Sequence, residues 1–195
     1  MATKRKKNKG NIVESGEHVE SEIDRVMFNN RVVELRGDVT EDNVNQLMRK
    51  LDVLDAFSTD PITLRISTYG GEFYPTLALI GFIRRMDSKV NCIVQGYAFS
   101  AGLYIAAACT GVRSIQRESV MLYHEVLLVR EEGDVKRLKE LSDSVRHTEK
   151  QMDFIKEILL KKTKLNKTFF EHNRNNDVVF TAFEALEQGI VDKIV

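Results

Sequence analysis

Apolar and polar residues along this chain recur with two periods that take turns, the mark of alternating strands and helices. Arg31-Val32-Val33-Glu34-Leu35 reads as a strand closed by Gly37. Thr40 then offers an N-cap for a helix through Leu54, because Val44, Leu47, Leu51 and Leu54 recur at three- to four-residue spacing and share one face. Past Pro61, Ile62, Leu64 and Ile66 alternate with Thr63 and Arg65, which predicts a second strand ending in Ser67-Thr68-Tyr69-Gly70-Gly71. A helix is predicted from about Phe73 to Met86, with Pro75 in its first turn, where a missing N–H is harmless. Lys89 to Gln95 is the third predicted strand. Gly96-Tyr97-Ala98-Phe99-Ser100-Ala101-Gly102 then turns into an Ala-rich helix ending near Cys109.

Short strands are predicted at Arg113 to Gln116 and Val120 to His124, followed by the charged loop Arg130-Glu131-Glu132-Gly133-Asp134. Next comes a long helix from Val135 to about Lys162, with Leu138, Leu141, Val145, Met152, Ile155 and Leu159 at helical spacing and a dense charged remainder. One small core cannot cover such a length, so part of it is expected to project and pack against another copy of the chain. A short helix around Lys167 to His172, a break at Asn173-Arg174-Asn175-Asn176-Asp177, a strand Val178 to Phe180 and a helix Thr181 to Gln188 follow. Gly189 stops that helix, and Ile190 to Val195 is read as a last strand. The order is that of an α/β chain with a parallel-type sheet.

Length and charge narrow the classes. A chain of 195 residues suits one domain with a self-sufficient core. Its 29 Lys+Arg balance 29 Asp+Glu, which argues against a protein covered by nucleic acid. The balance hides a segregation. Residues 1–10 hold Lys4, Arg5, Lys6, Lys7 and Lys9 and no acid, while residues 11–24 hold Glu14, Glu17, Glu20, Glu22 and Asp24 and no Lys or Arg. Without apolar periodicity, residues 1–21 are read as a flexible charged tail ahead of a domain over 22–195. Cys92 and Cys109 sit in apolar runs, as buried free thiols in a reducing compartment do, and no His adjoins either, so no metal site is expected. The longest weakly polar stretch, Ala98 to Cys109, is too short to span a membrane and too far along the chain to be a signal peptide. A cytoplasmic protein is expected.

The candidate chemistry lies at the two strand-to-helix junctions, each of which ends in small residues and aims a helix N-terminus at one end of the sheet. Gly70-Gly71 lets bare backbone N–H groups approach a ligand. Ser100, followed by Ala101 and Gly102, would stand at a helix start with an N–H beside it. A nucleophilic serine needs an exposed oxygen, donors for the oxyanion and a base. His124, ending an apolar strand, is the best base among the four histidines; His18 lies in the tail, His147 on the long helix and His172 near the break. Asp177, just before Val178-Val179-Phe180, is placed to orient the imidazole. Each residue also has a plainer explanation: Ser100 as an N-cap, His124 as a packed or surface residue, Asp177 as a turn cap, Gly70-Gly71 as a tight turn.

Taken together, these segments resemble the Clp-type serine proteases, the proteolytic subunit of ATP-dependent caseinolytic protease. The similarity is carried by Arg31 to Gly37, Ile66 to Gly71, Gly96-Tyr97-Ala98-Phe99-Ser100-Ala101-Gly102, Val120-Met121-Leu122-Tyr123-His124 and Phe180 to Asp192, in family order from about residue 22 onward. It implies a crotonase-like spiral of β-β-α units, with a handle helix at about 135–162. It also implies Ser100 as nucleophile, His124 as general base, Asp177 as orienting acid and the N–H groups of Gly71 and Ala101 as an oxyanion hole. No metal or cofactor is implied. Polypeptide substrates, a homo-oligomer of stacked heptameric rings joined through the handle, and a separate Clp-type ATPase follow from the same resemblance. The chain has no G-x-x-x-x-G-K-[ST] loop with which to use ATP itself.

The chain departs from the family pattern in several places. Tyr69 replaces a Pro, Glu125-Val126 a Gln-Pro pair, and Phe99 and Ala101 a smaller residue and a Met beside the serine; these changes bear on the shape of the substrate pocket and on the oxyanion hole and leave all three triad side chains present. The charged tail replaces the family's apolar opening, which meets the ATPase. Two other readings stand beside this one: a noncatalytic Clp-like subunit kept for assembly or partner binding, and a crotonase-type acyl-CoA enzyme, which holds a thioester oxygen with paired N–H groups.

Overall fold

The computed structural model describes residues 22–125 and 138–195. The charged tail, the loop at residues 130–134 and the expected helix start at Val135 lie outside the described residues.

A helix over residues 22–29, α1, opens the described chain. The polarity pattern missed it because it has no buried stripe: Ile23 and Val26 stay about half exposed and Phe28 alone docks on the core. Strand β1, Val32–Arg36, leads to α2, Glu41–Phe57. The Thr40 hydroxyl accepts the Asn43 N–H at 3.3 Å as the expected N-cap, and Val44, Leu47, Leu51 and Leu54 are buried on one face. A cap of this kind stabilises a helix by about 1 kcal/mol. Strand β2, Ile62–Thr68, alternates buried and half-buried residues along its length. It is followed by α3, Phe73–Arg85, with Pro75 in its first turn.

Strand β3 runs Val90–Phe99, four residues beyond its expected end at Gln95. Gly96, at φ 82°, lets the strand swing from one neighbour to another instead of ending. Cys92 to Val94 pair with β4, Arg113–Ile115, and Tyr97 to Phe99 pair with β5, Val120–Tyr123. Helix α4, Ala101–Ala108, starts straight from the tip of β3 and is buried on every side. Its small residues let it lie deep in the core, where Cys92 and Cys109 are buried as free thiols.

Helix α5, Leu138–Lys162, seats its C-terminal half on the core through Met152, Ile155, Ile158 and Leu159. Farther toward its N-terminus Val145 is 39% exposed, and Phe154 on another face is 45% exposed. The side chains of Leu138 and Leu141 are outside the described set. Helix α6, Lys167–His172, strand β6, Val178–Thr181, and helix α7, Ala182–Glu187, fall where the periodicity placed them. Thr181 and Glu184 form a reciprocal capping box at the start of α7. Of the predicted last strand only β7, Lys193–Ile194, pairs. Ahead of it Ile190 and Val191 turn into the core, and Asp192 receives Arg113 through 2.6 Å and 3.1 Å side-chain bonds.

The sheet order is β1-β2-β3-β4-β7, every pairing parallel, with β5 added parallel to β3 and β6 antiparallel to β5. Because β1, β2 and β3 are parallel, the chain leaves β2 and β3 for a helix at the same end of the sheet. Gly71 and Ser100 therefore meet there.

Candidate active site

Ser100 occupies the step between β3 and α4 with φ 51° and ψ −115°. A side chain in this region is strained by about 1–3 kcal/mol, so the surrounding structure must hold it there. Its N–H donates to Leu122 O at 2.8 Å, and its carbonyl accepts from Tyr104 N at 3.2 Å, which clamps the turn between β5 and the first turn of α4. The hydroxyl makes no capping hydrogen bond to α4. The plainer explanation of Ser100 as an N-cap therefore fails: the residue has the place of a cap without doing its work.

Gly71 approaches from the end of β2. It bridges to Val39 in parallel fashion, with Val39 N–H bonded to Gly70 O at 2.8 Å and Glu72 N–H to Val39 O at 2.7 Å. A Cβ on Gly71 would stand 2.4 Å from Val39 O, so only glycine permits this approach. The Gly71 N–H is left undonated among the described residues, and so is the N–H of Ala101 in the first turn of α4. Both residues line a cleft of about 570 Å³ together with Ser100 and His124.

His124 stands just past the end of β5. Tyr104, one turn along α4 from Ser100, donates its phenol to the His124 carbonyl and so ties base and serine to one helix. Burial, with Tyr123 and Glu125 nearby, pushes the Tyr104 phenol far above its ordinary value and keeps it a neutral donor. The imidazole Nδ1 lies 2.5 Å from Glu125 O. A carbonyl only accepts, so Nδ1 donates in this contact, and the neutral tautomer that does so has Nε2 as its acceptor. Glu125 is in turn held by Lys156 of α5 at 2.5 Å.

Asp177 is exposed at the start of β6. The β5–β6 ladder ends on the pair Tyr123 and Val178, so His124 directly follows and Asp177 directly precedes its last pair. Among the described residues no hydrogen bond joins the two side chains, nor Ser100 to His124. The fold thus gathers Ser100, His124, Gly71 and Ala101 around one cleft, and Asp177 is not among the described residues that line it. His147 and His172 stand elsewhere: His147 Nε2 is 3.1 Å from the Tyr74 hydroxyl, and His172 ends α6. His18 is outside the described residues. Among the described residues no cluster of three or more His, Cys, Asp or Glu is placed to hold a metal. The polarity pattern did not single out Tyr104, although a lone tyrosine in an Ala-rich helix one turn after Ser100 was a visible signal.

A free hydroxyl in a strained strand-to-helix turn, an imidazole with an acceptor nitrogen and two undonated N–H groups form a constellation suited to acyl transfer. The profile of the Clp protease family matches residues 14–195, and the chain belongs to that family. Relatives include ATP-dependent Clp protease proteolytic subunit 1 of Corynebacterium glutamicum, 28% identical over 86% of this chain and 80% of the relative. Its namesake from Corynebacterium diphtheriae is 26% identical over the same shares. The ATP-dependent Clp protease proteolytic subunit of Dehalococcoides mccartyi is 24% identical over 94% of this chain and 92% of the relative. Family membership and these relatives support a protease function, and the mostly parallel α/β architecture agrees with a Clp-protease-like fold.

Proposed function

We propose that the chain is a serine endopeptidase that cleaves unfolded polypeptides or short peptides inside an oligomeric chamber. The observation that carries this reading is Ser100, held in a left-handed turn with its hydroxyl uncommitted, on one cleft with His124 and the N–H groups of Gly71 and Ala101. Ser100 Oγ attacks the scissile carbonyl carbon and His124 Nε2 takes its proton. The carbonyl oxygen, now an anion, accepts from Gly71 and Ala101. Collapse breaks the C–N bond as His124 returns the proton to the leaving amine. Water then attacks the acyl-enzyme by the same route and frees Ser100. In this reading Asp177 takes over the Nδ1–H from Glu125 O when the site engages, and stabilises the imidazolium. The neighbouring register positions of His124 and Asp177 support that exchange.

Residues 22–195 act as one catalytic domain with α5 as its handle. Exposed Val145 and Phe154 on α5 support packing against another copy, in stacked rings that are heptameric by family resemblance. The relatives are named ATP-dependent, which supports a separate ATPase that feeds the chamber. Among the described residues no helix is long and apolar enough to cross a membrane, which suits work in the cytoplasm.

Cleavage of a denatured polypeptide and of short fluorogenic peptides by the assembled protein, set beside Ser100→Ala, tests the reading. Products from the wild type and none from the variant are expected. Equal cleavage by both, or none by the wild type, contradicts it.

A further inference from the structure

Three aromatic rings stand in contact beside the Ser100 turn, on the ends of β2 and β3. Tyr69 and Tyr97 stack with centroids 4.2 Å apart and planes 26° from parallel. Phe99 closes the group, 5.6 Å from Tyr69 and 5.7 Å from Tyr97. Tyr97 and Phe99 are half-buried, yet Tyr69 remains 65% exposed. Tyr69 also lines the cleft that holds Ser100 and His124. The rings share their backbone with the reacting groups: Tyr69 is two residues before Gly71, and Phe99 directly precedes Ser100.

A tyrosine that leaves most of its surface in water has little reason to be immobilised for stability alone. Here one face of its ring is fixed by Tyr97 and an edge contact by Phe99, so it presents a rigid apolar surface to the cleft. Order already present in the free protein is not charged against binding, and a side chain laid on such a ring gains from burial and from aromatic geometry. The acids Asp38 and Glu72 also line this cleft, and among the described residues no Lys or Arg does, so an acidic substrate side chain would meet repulsion there.

We propose that Tyr69, braced by Tyr97 and Phe99, is the specificity-determining wall of the cleft and selects substrates with an aromatic side chain beside the scissile bond. This rests on the reading of Ser100 as the nucleophile. The wall acts on substrate choice, so it shows in a ratio of kcat/KM values.

The test uses two peptides that differ only in Phe or Ser next to the scissile bond, with the assembled wild type, Tyr69→Ala, Tyr69→Phe and Tyr97→Ala. Fluorophosphonate labelling and particle mass are recorded alongside. The Phe-over-Ser preference is expected to fall about 10-fold in Tyr69→Ala, to survive in Tyr69→Phe and to fall less in Tyr97→Ala, with Tyr69→Ala still labelled. A labelled Tyr69→Ala that keeps the wild-type preference overturns the proposal alone. So does an equal loss on both peptides accompanied by a fall in particle mass, which would assign the aromatic patch to contact between copies. A wild type that takes no label overturns the nucleophile reading and the proposal with it.

Discussion

Arg31 and Ser100 are the non-glycine residues of the described chain with a left-handed φ, at 56° and 51°, and they are held there in opposite ways. Arg31 is secured by its own side chain. Its guanidinium donates to Leu54 O at 2.8 Å, Ser58 O at 2.9 Å and Asp60 O at 2.7 Å, tying the turn before β1 to the end of α2. Ser100 is secured by backbone, through Leu122 O and Tyr104 N, and among the described residues its hydroxyl has no hydrogen-bond partner. At Arg31 the strain is absorbed by a structural joint. At Ser100 the strained turn carries the oxygen that the proposed function assigns to chemistry.

The sharpest way to break this contrast is Ser100→Gly. Glycine accepts the φ without strain, so turnover should fall by more than about 10³-fold while stability rises by about 1 kcal/mol. Peptidase assay and denaturant melting on the same sample check both halves, and a destabilised variant would show that the hydroxyl has a structural task after all. Arg31→Gly should do the reverse. It relieves φ but strips charged hydrogen bonds from several carbonyls, lowering stability by about 3 kcal/mol with kcat unchanged in the protein that remains folded.

A smaller effect is expected at Asp177, which is exposed and unbonded to the imidazole. Asp177→Asn should lower kcat by about 10- to 100-fold, well short of the loss at Ser100. Equal losses at the two positions would place Asp177 in the same rigid unit as the serine. The least effect concerns stability at the far end of the sheet. Hydrogen bonds from Arg113 hold the Asp192 carboxyl below its usual value. Its folded value is depressed, so the contribution is complete above the unfolded value of about 4 and fades as pH falls through the lower folded one. Asp192→Asn should cost about 1–2 kcal/mol at pH 7 and flatten the acid limb of a stability-against-pH curve.

Why the Ser100 turn was legible in the sequence and the Arg31 turn was not follows from where each is determined. The segment Gly96 to Gly102 carries its own signal, small residues around a serine ahead of an Ala-rich run. The backbone at Arg31 is set by carbonyls at residues 54, 58 and 60, which no local pattern reveals. Range likewise explains the misread end of β3. Its last residues pair with β5, more than twenty residues away, so a glycine that looked like a stop became a pivot. The cleft residues Gly71, Ser100, Ala101 and His124 could be named because each ends or follows a clearly periodic element. The Nδ1 contact to Glu125 O depends on the rotamer of His124, and the Lys156–Glu125 ion pair on a side chain arriving from α5, neither of which periodicity encodes.

The central claim is that Ser100 is the nucleophile because its turn frees the hydroxyl beside His124. Intact-mass and peptide-mapping mass spectrometry after fluorophosphonate treatment test it most directly. One adduct per chain, on the peptide containing Ser100, absent in Ser100→Ala and much slower in His124→Ala, is the predicted result. An adduct at another residue, or no adduct on the folded wild type, would contradict the account.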